Sequence, residues 1–327
     1  MAGKSLRGEF DLIAALYAPL AGEGAFGLAN DGAVTAPPPG EELVVTLDTM
    51  VDGVHYLPDD PPELVARKLL RVNLSDLAAM GAEPSGYLLS TALSPAIDDA
   101  WMERFAAGLA ADQRAYGFSL LGGDTVRTPG PTTLSCTAFG YLPKGTALVR
   151  SGARPGDLLC LSGTLGDAAL GLLVRRGGLL DLEPAERAFL EDAYRLPRPR
   201  TALGPRLRGL ASACLDVSDG LLGDLGHILD GSGCGAVVES HRLPLSPAAA
   251  AALADDLERL ATVLTGGDDY ELLFTVAAES EPALQAAAAA AATPVTVIGR
   301  IVEGRSLTVV DRDGHPLDLA ATGWRHF

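Results

Sequence analysis

Residues 212–230 read SACLDVSDGLLGDLGHILD, and this stretch indicates most clearly how the chain folds. The apolar residues 212–217 predict a strand, the polar residues 218–220 predict a turn, and residues 221–230 predict a helix. Strands and helices follow one another along the whole chain, but several predicted strands are adjacent without a helix between them. This order favours layered α+β halves over one regular parallel barrel.

The chain length indicates more than one domain. With 327 residues, the chain exceeds what one hydrophobic core usually holds, so two domains are expected. Turn-forming residues at 143–145 and 150–156 predict the junction. We therefore expect an N-terminal domain at 1–145 and a C-terminal domain at 146–327.

The composition is that of a globular protein, with 48% hydrophobic and 20% charged residues. The 25 basic and 42 acidic side chains give a net charge of −17, which argues against non-specific nucleic-acid binding. The four cysteines form no C-x-x-C pair, and neither a signal peptide nor a transmembrane stretch stands out. We expect a cytoplasmic protein with no nucleic-acid or membrane partner.

Six aspartates stand in apolar contexts, several of them beside glycine or serine, and three of them, Asp48, Asp124 and Asp216, are expected at the ends of predicted strands. A carboxylate in such a setting is costly unless a cation or a hydrogen-bond donor meets it. Mg²⁺ takes oxygen ligands and usually also binds substrate phosphates, so the set predicts a magnesium site for phosphate chemistry. Each aspartate alone could equally cap a helix or a turn. The six are Asp31, Asp48, Asp76, Asp124, Asp216 and Asp219.

Glycine pairs precede carboxylates in LLGGDT and LTGGDD, where they would let the backbone approach a ligand closely. Neither motif is a P-loop, and G-x-x-G-D at 163–167 is interpreted as a tight turn into a helix. Arg150 is either a phosphate contact or a solvated turn residue, and His55 is either a substrate contact or structural. No Ser-His-Asp, Cys-His or zinc spacing stands out, so no protein nucleophile is predicted.

A series of motifs covers nearly the whole chain in this order: GEFDLIA, NDGAV, TLDTMVDGVHY, KLLRVNLSDLAAMGAEP, LLGGDT, LVRSGARPGD, LDVSDGLLGDLGHIL, LTGGDDYELLFTV and GWRHF. Together they resemble the thiamine-monophosphate kinase family, which is related to the aminoimidazole ribonucleotide synthetases. The resemblance implies a two-domain α+β fold of the aminoimidazole ribonucleotide synthetase type, with a layered α/β C-terminal domain. It also implies a homodimer in which the N-terminal domains pair their sheets.

The same resemblance implies the reaction, in which ATP phosphorylates thiamine monophosphate to thiamine diphosphate with several Mg²⁺ ions. It assigns nucleotide contacts to Tyr116, Gly123, Asp124, Arg150 and Ser218, and contacts with thiamine monophosphate to His55, Asp268 and Trp324. The metal ligands that it implies are Asp31, Thr46, Leu47 (through its carbonyl), Asp48, Asp76, Asp124, Asp216 and Asp219.

Three positions depart from the family pattern. The usual G-D-D near the N-terminus is Ala29-Asn30-Asp31 here, and because Asn30 keeps an oxygen ligand but loses the charge, one metal is expected to bind more weakly. Asp268 stands where a glutamate is usual and is shorter by one methylene, so substrate contact there is expected to be looser or bridged by water.

Two alternative functions remain open. A purine-pathway synthetase of the same superfamily would close the ring of a formylglycinamidine substrate with ATP, although TLDTMVDGVHY and GGDDYEL fit it less well. A non-catalytic nucleotide-binding module would bind ATP without turnover.

Overall fold

The computed structural model describes residues 6–253 and 256–317. The chain forms two compact units. The N-terminal unit comprises Met1–Leu77 and Ala82–Gly145, and the C-terminal unit comprises Ala78–Gly81 and Thr146–Phe327. Within the described residues, no helix is both long enough and apolar enough to cross a membrane.

The N-terminal unit is built on a four-stranded sheet with strand order β1-β4-β2-β3. The β1–β4 and β4–β2 pairs are antiparallel, and the β2–β3 pair is parallel with a helix between its strands. The main elements are α1 (Glu9–Leu12), β1 (Glu41–Val51), α2 (Pro62–Ala79), β2 (Glu83–Leu93), α3 (Asp99–Tyr116), β3 (Ser119–Arg127) and β4 (Thr133–Pro143).

One face of this sheet packs on α2 and α3, and the other is partly exposed. The core contains Leu70 and Leu74 of α2, Phe105 of α3, and Tyr87 and Cys136 of the sheet. Less exposed and more exposed residues alternate along β1 and β4, as expected for strands with one face covered more than the other.

The observed strands correct the positions predicted for two aspartates. Asp48 and Asp124 were expected to end their strands, but both lie inside them, in β1 and β3. The reason is the pairing register. β1 stays paired with β4 as far as Val51, and β3 stays paired with β2 as far as Arg127. Asp216 does end its strand, as predicted.

The C-terminal unit is built on a six-stranded sheet with strand order β10-β7-β9-β5-β8-β6. The β10–β7 pair is parallel and the other neighbours are antiparallel. Its main elements are β5 (Leu158–Ser162), α4 (Asp167–Arg175), α5 (Pro184–Arg195), α6 (Gly204–Leu207), β6 (Ala211–Asp216), α7 (Leu221–Ser232), β7 (Gly235–Glu239), α8 (Pro247–Leu253), α9 (Leu257–Thr265), β8 (Leu272–Val276), α10 (Glu281–Ala290), β9 (Val295–Val302) and β10 (Leu307–Val310).

Helices cover both faces of this second sheet. Leu159 and Leu161 of β5 belong to the core that includes α4 and α7. Cys160, which points to the opposite face, belongs to a second core with α6 and α10. All five residues of β8 are buried, as expected for a strand covered on both sides. The predicted layered α+β architecture is therefore confirmed.

Candidate active site

A cavity of about 580 Å³ lies in the N-terminal unit against the partly exposed face of the sheet. Four predicted site residues line it. Asp31 comes from the loop before β1, Leu47 from β1, and Gly123 and Asp124 from β3. The volume is in the range of pockets that hold small-molecule ligands. The structure therefore brings these four positions to one concave surface.

The pairing register explains why Asp124 reaches this surface. Thr49, Ser135, Ser90 and Asp124 lie opposite one another in a single row across all four strands. Thr49 and Ser135 share a hydrogen bond of 2.7 Å between their hydroxyl groups. Asp124 thus ends a row of small polar side chains on a face that also carries apolar residues.

Thr46 and Asp48 project from β1 to the face opposite Leu47, because successive side chains of a strand alternate. The Thr46 hydroxyl donates to Asp76 Oδ2 at 2.5 Å. The Asp48 amide donates to Asn73 Oδ1 at 3.1 Å. Asn73 and Asp76 are neighbours on α2, so that helix and β1 together gather a second group of oxygen atoms. The predicted N-terminal ligands therefore form two groups, one on each face of β1.

Metal-ligating side chains come close together at one place in the described part of the chain. Across residues 6–253 and 256–317, one group of three or more His, Cys, Asp or Glu side chains has its ligand atoms within 4.8 Å. It consists of Asp311, Asp313 and His315, in a turn where Asp311 accepts the amides of the other two. None of the six predicted aspartates belongs to it, so their role as metal ligands stays a prediction.

His55 lies in the turn after β1, where its backbone and its ring are both held. Its Nδ1 accepts the Val51 amide at 3.0 Å, which leaves Nε2 to carry the proton of the neutral ring. Its carbonyl accepts from Lys68 Nζ at 3.2 Å, and Lys68 is buried. Lys68 was not singled out from the sequence, although a lysine among the apolar positions of α2 is the signal that could have found it.

Tyr116 ends α3, and its ring centroid lies 5.6 Å from the Arg71 guanidinium. Arg71 and Arg67 of α2 both donate to Asp112 of α3, which is fully buried. Tyr116 therefore sits beside a buried ion cluster that joins the two helices. Its predicted nucleotide contact remains untested.

In the C-terminal unit, the turn after β6 carries Ser218 and Asp219 and leads into α7. Asp224, inside α7, folds back and accepts the Asp219 amide at 3.0 Å. Burial raises the pKa of Asp224 to about 7, while the charge of Arg150 opposes that rise. Gly220 between turn and helix has φ of 107°, a conformation essentially restricted to glycine. The helix and its own carboxylate thus hold the turn.

The loop from Gly266 to Tyr270 is bonded directly to this turn. The Asp268 amide donates to the Ser218 carbonyl at 2.9 Å, and the Tyr270 amide donates to the Val217 carbonyl at 2.8 Å. A Cβ at Gly267 would overlap the Ser218 carbonyl, so this position requires glycine. The structure therefore brings the predicted residues Ser218, Asp219 and Asp268 onto two adjoining segments that follow β6 and precede β8.

Two acidic residues of this region were assigned no chemistry from the sequence. Asp269 accepts the amides of Gly166 and Ala168 at 2.6 and 3.1 Å, at the start of α4. Burial raises the pKa of Asp269, and these two amides oppose the rise. Glu271 is bound by both Arg200 and Ser162. The remaining predicted substrate residue, Trp324, lies outside the described residues.

Two family models match the chain. AIR synthase related protein, N-terminal domain, matches residues 29–142, and AIR synthase related protein, C-terminal domain, matches residues 154–312. A thiamine-monophosphate kinase of Caulobacter vibrioides is 46% identical over 97% of this chain and 90% of its own length. The chain belongs to the thiamine-monophosphate kinase family.

Solved structures of this kinase family have the same fold. A thiamine-monophosphate kinase from Stenotrophomonas maltophilia matches with a TM-score of 0.80 and 42% identity, over 89% of this chain and 91% of that chain. The structure of AaThiL complexed with AMPPCP and TMP matches with a TM-score of 0.77 and 30% identity, over 99% of each chain. These comparisons confirm the family, the two-domain α+β fold and the enzyme class predicted from the sequence, a kinase with a phosphate acceptor.

Proposed function

We propose that this kinase phosphorylates thiamine monophosphate to thiamine diphosphate by direct in-line transfer from ATP, assisted by several Mg²⁺ ions. One observation carries the proposal. The cavity of about 580 Å³ is lined by Asp31, Gly123 and Asp124, which the family resemblance assigns to metal and nucleotide. A relative matching 99% of the chain is complexed with AMPPCP and TMP, which supports the same pair of ligands here.

The chemistry requires no protein nucleophile. The acceptor is a phosphate monoester, whose oxygen is already anionic near neutral pH, so a general base is unnecessary. That oxygen attacks the γ-phosphorus of ATP, a new P–O bond forms, and the bond from the γ-phosphorus to the bridging oxygen breaks to release ADP. What remains for the protein is to position two polyanions and to offset their repulsion.

The donor set suits a hard divalent cation. Thr46 and Asp76 place a hydroxyl and a carboxylate oxygen together between β1 and α2, and Asp48 lies on the same face of β1 as Thr46. Oxygen is the ligand that Mg²⁺ prefers. We infer that these three, with Asp31, Asp124, Asp216, Asp219 and the Leu47 carbonyl, would hold the metals. Bound Mg²⁺ would neutralise phosphate charge. Asn30 lines the same cavity as Asp31 and contributes an oxygen atom without charge.

The remaining site residues come from both of the predicted domains. We propose that residues 1–145 bind ATP and Mg²⁺ and form the dimer, and that residues 146–327 complete the nucleotide and substrate site. Arg150 and Ser218 would contact the nucleotide, as would Tyr116. His55, Asp268 and Trp324 would contact thiamine monophosphate. The fixed tautomer of His55 supports this role, because a neutral ring with hydrogen on Nε2 can donate to a phosphate.

The exposed sheet face supports a homodimer. Leu43, Val45 and Leu47 of β1 are 43%, 53% and 60% exposed, and Leu88 of β2 and Val126 of β3 are also exposed. Contiguous exposed apolar surface on a soluble protein commonly marks an interaction site. A second copy of the same face would cover it with a surface of equal character.

The test combines product formation with two substitutions. The protein, ATP, Mg²⁺ and thiamine monophosphate are incubated, and thiamine diphosphate is quantified by thiochrome fluorescence after separation. Asp76→Asn and Asp124→Asn should each lower turnover by roughly a hundredfold, because charge stabilisation at a transition state is commonly worth that much. Asp192→Asn, an exposed aspartate of α5, is the matched control and should keep wild-type turnover.

The possible outcomes separate the alternatives. Near-normal turnover in both variants at saturating Mg²⁺ would refute the multi-metal account. A folded wild-type protein that binds ATP but forms no product would indicate the non-catalytic module. ADP release with a formylglycinamidine ribonucleotide, but not with thiamine monophosphate, would indicate the purine-pathway synthetase.

A further inference from the structure

Asp269 joins two segments of the C-terminal unit. The residue is 8% exposed, and its two side-chain oxygens accept the amides of Gly166 and Ala168. These amides belong to the first turn of α4, where backbone N–H groups have no partner within the helix. An anion is also favoured there by the helix dipole. Asp269 therefore ties the loop before β8 to α4 through both of its carboxyl oxygens.

The two glycine motifs of this unit fit together around that link. Gly163 leaves space that the side chains of Glu271 and Arg200 occupy, and Gly166 leaves space for Val263. Gly266 allows close approach of Ala169. The G-x-x-G-D stretch is thus not arranged around a phosphate. The Gly166 amide donates to Asp269, the Gly163 and Leu165 amides donate to backbone carbonyls, and protein atoms fill the space beside both glycines.

The residues on either side of Asp269 have an unusual backbone. Asp268 and Tyr270 have φ of 74° and 52°, in the left-handed region that non-glycine residues seldom occupy. Such conformations persist only where the surroundings enforce them, and they cluster at functional sites. Two sets of hydrogen bonds hold these two residues in place. The amides of both residues are bonded to the turn after β6, and the carboxylate between them is anchored on α4.

We propose that Asp269 is a positioning residue, which holds Asp268 in the conformation that contacts thiamine monophosphate. This inference rests on the proposed function for the identity of the substrate. Asp269 itself faces α4 and does not touch the substrate. Its carboxyl group holds the loop in a fixed position relative to the turn that carries Ser218 and Asp219. The residues that contact the substrate and those that contact the nucleotide therefore stay at a fixed distance from each other.

The test is Asp269→Asn in the full-length protein. Asparagine keeps the size of the side chain but turns an N–H group toward one of the two α4 amides, so at most one of the two bonds survives. Losing one of these two hydrogen bonds weakens the support of the loop. The KM for thiamine monophosphate should therefore rise roughly tenfold or more. The KM for ATP should change by less than about threefold, because the turn after β6 is also held by Asp224.

The matched control is Asp167→Asn. Asp167 is also buried and opens the same helix, but its carboxyl accepts from Ser246 and Thr164, at 2.5 and 2.6 Å, rather than from the loop before β8. Both of its KM values should stay at wild type. A purely structural role for Asp269 would reduce the active fraction, lowering kcat with both KM values unchanged, and that result would overturn the proposal. Should Asp269→Asn not yield folded protein, Asp269→Ser, which keeps one acceptor oxygen, carries the same test.

Backbone amide exchange separates this inference from the function on which it rests. In Asp269→Asn, the amides of Asp268 and Tyr270 should exchange faster than in the wild type, whereas Asp167→Asn should leave them unchanged. This measurement needs no substrate. A wild-type protein without activity, combined with faster exchange in Asp269→Asn, would refute the proposed function and keep the anchoring role. Unchanged exchange at both amides would refute the anchoring role.

Discussion

Replacing Gly220 by alanine should destabilise the protein and misplace the turn that carries Asp219. Gly220 has φ of 107° and ψ of 147°, a region that costs side-chain-bearing residues about 1–3 kcal/mol. An added Cβ would also lie 2.5 Å from the Thr265 carbonyl oxygen and 3.0 Å from that of Gly266. Both oxygens belong to backbone that is already hydrogen-bonded, so neither can move away cheaply. We expect a loss of about 2–3 kcal/mol in the free energy of unfolding.

Turnover should fall by more than the loss of stability explains. Relief of the contact shifts Ser218 and Asp219 relative to the loop that carries Asp268, and misplacement by about 1 Å can cost roughly a hundredfold in rate. Turnover of the folded Gly220→Ala protein should therefore fall by at least about tenfold. Urea titration followed by circular dichroism measures stability, and the thiochrome assay under conditions where the protein is fully folded measures turnover.

Gly226→Ala is the internal control for this prediction. Gly226 lies inside the same helix, α7, and an added Cβ there has no heavy atom within 4 Å. Because alanine favours a helix over glycine by about 1 kcal/mol, this variant should be as stable as the wild type or slightly more stable, with normal turnover. If Gly220→Ala matched the wild type in both measurements, the assignment of a glycine-only conformation at the turn would be refuted.

Three further expectations concern other parts of the molecule. Asp112→Ala removes the buried partner of two arginines and should lower the free energy of unfolding, measured by urea titration, by about 3–5 kcal/mol. Glu63→Ala, which removes one side of the exposed pair with Arg104, should lower it by about 0–1 kcal/mol. Burial raises the pKa of Asp167, so the folded state binds its proton more tightly than the unfolded chain. The contribution of this carboxyl to stability should therefore fall as the pH rises from about 4 through the raised pKa. Urea titrations at several pH values should show that this fall is absent in Asp167→Asn. Val45→Glu should convert the proposed dimer to a monomer, as measured by light scattering. Leu180→Glu, at an exposed leucine outside the N-terminal unit, should leave the dimer intact. A wild-type protein that is itself a monomer would refute the dimer.

The fold could be predicted where the local pattern is strong and was missed where it is weak. Helices α2 and α3 carry apolar periodicity over 18 residues each, and the sequence predicts them at 63–80 and 98–116, within about two residues of their observed ends. Strands β7 and β10 have only five and four residues, and each depends on a partner distant in the chain. Helix α5 has five charged residues among its twelve, and its apolar pattern is too weak to predict a helix there. Its signal was the capping box formed by Glu183 and Glu186.

The positions of the candidate ligands were harder to predict than their identities. Both Asp48 and Asp124 were selected because they follow apolar runs, yet each lies within a strand whose pairing continues beyond it. Which face of the sheet an aspartate occupies depends on register, and register depends on the partner strand. Thus Asp124 reaches the cavity, while Asp48 lies on the α2 side of β1. A single sequence shows that successive side chains of a strand alternate between two faces. It does not show which residues of the neighbouring strands lie opposite each of them.

The consecutive pair Asp268 and Asp269 shows why a count of acidic residues does not describe a site. Both follow the same glycine pair, yet one is half-buried beside the β6 turn and the other is buried against α4. The difference arises because the left-handed backbone at Asp268 turns the chain between them, which only a tightly bonded loop can sustain. A carboxylate that contacts substrate needs a rigid support, and in this loop the neighbouring carboxylate is that support. The chemistry attributed to Asp268 therefore depends on Asp269, and a mutational survey restricted to ligand contacts would overlook it.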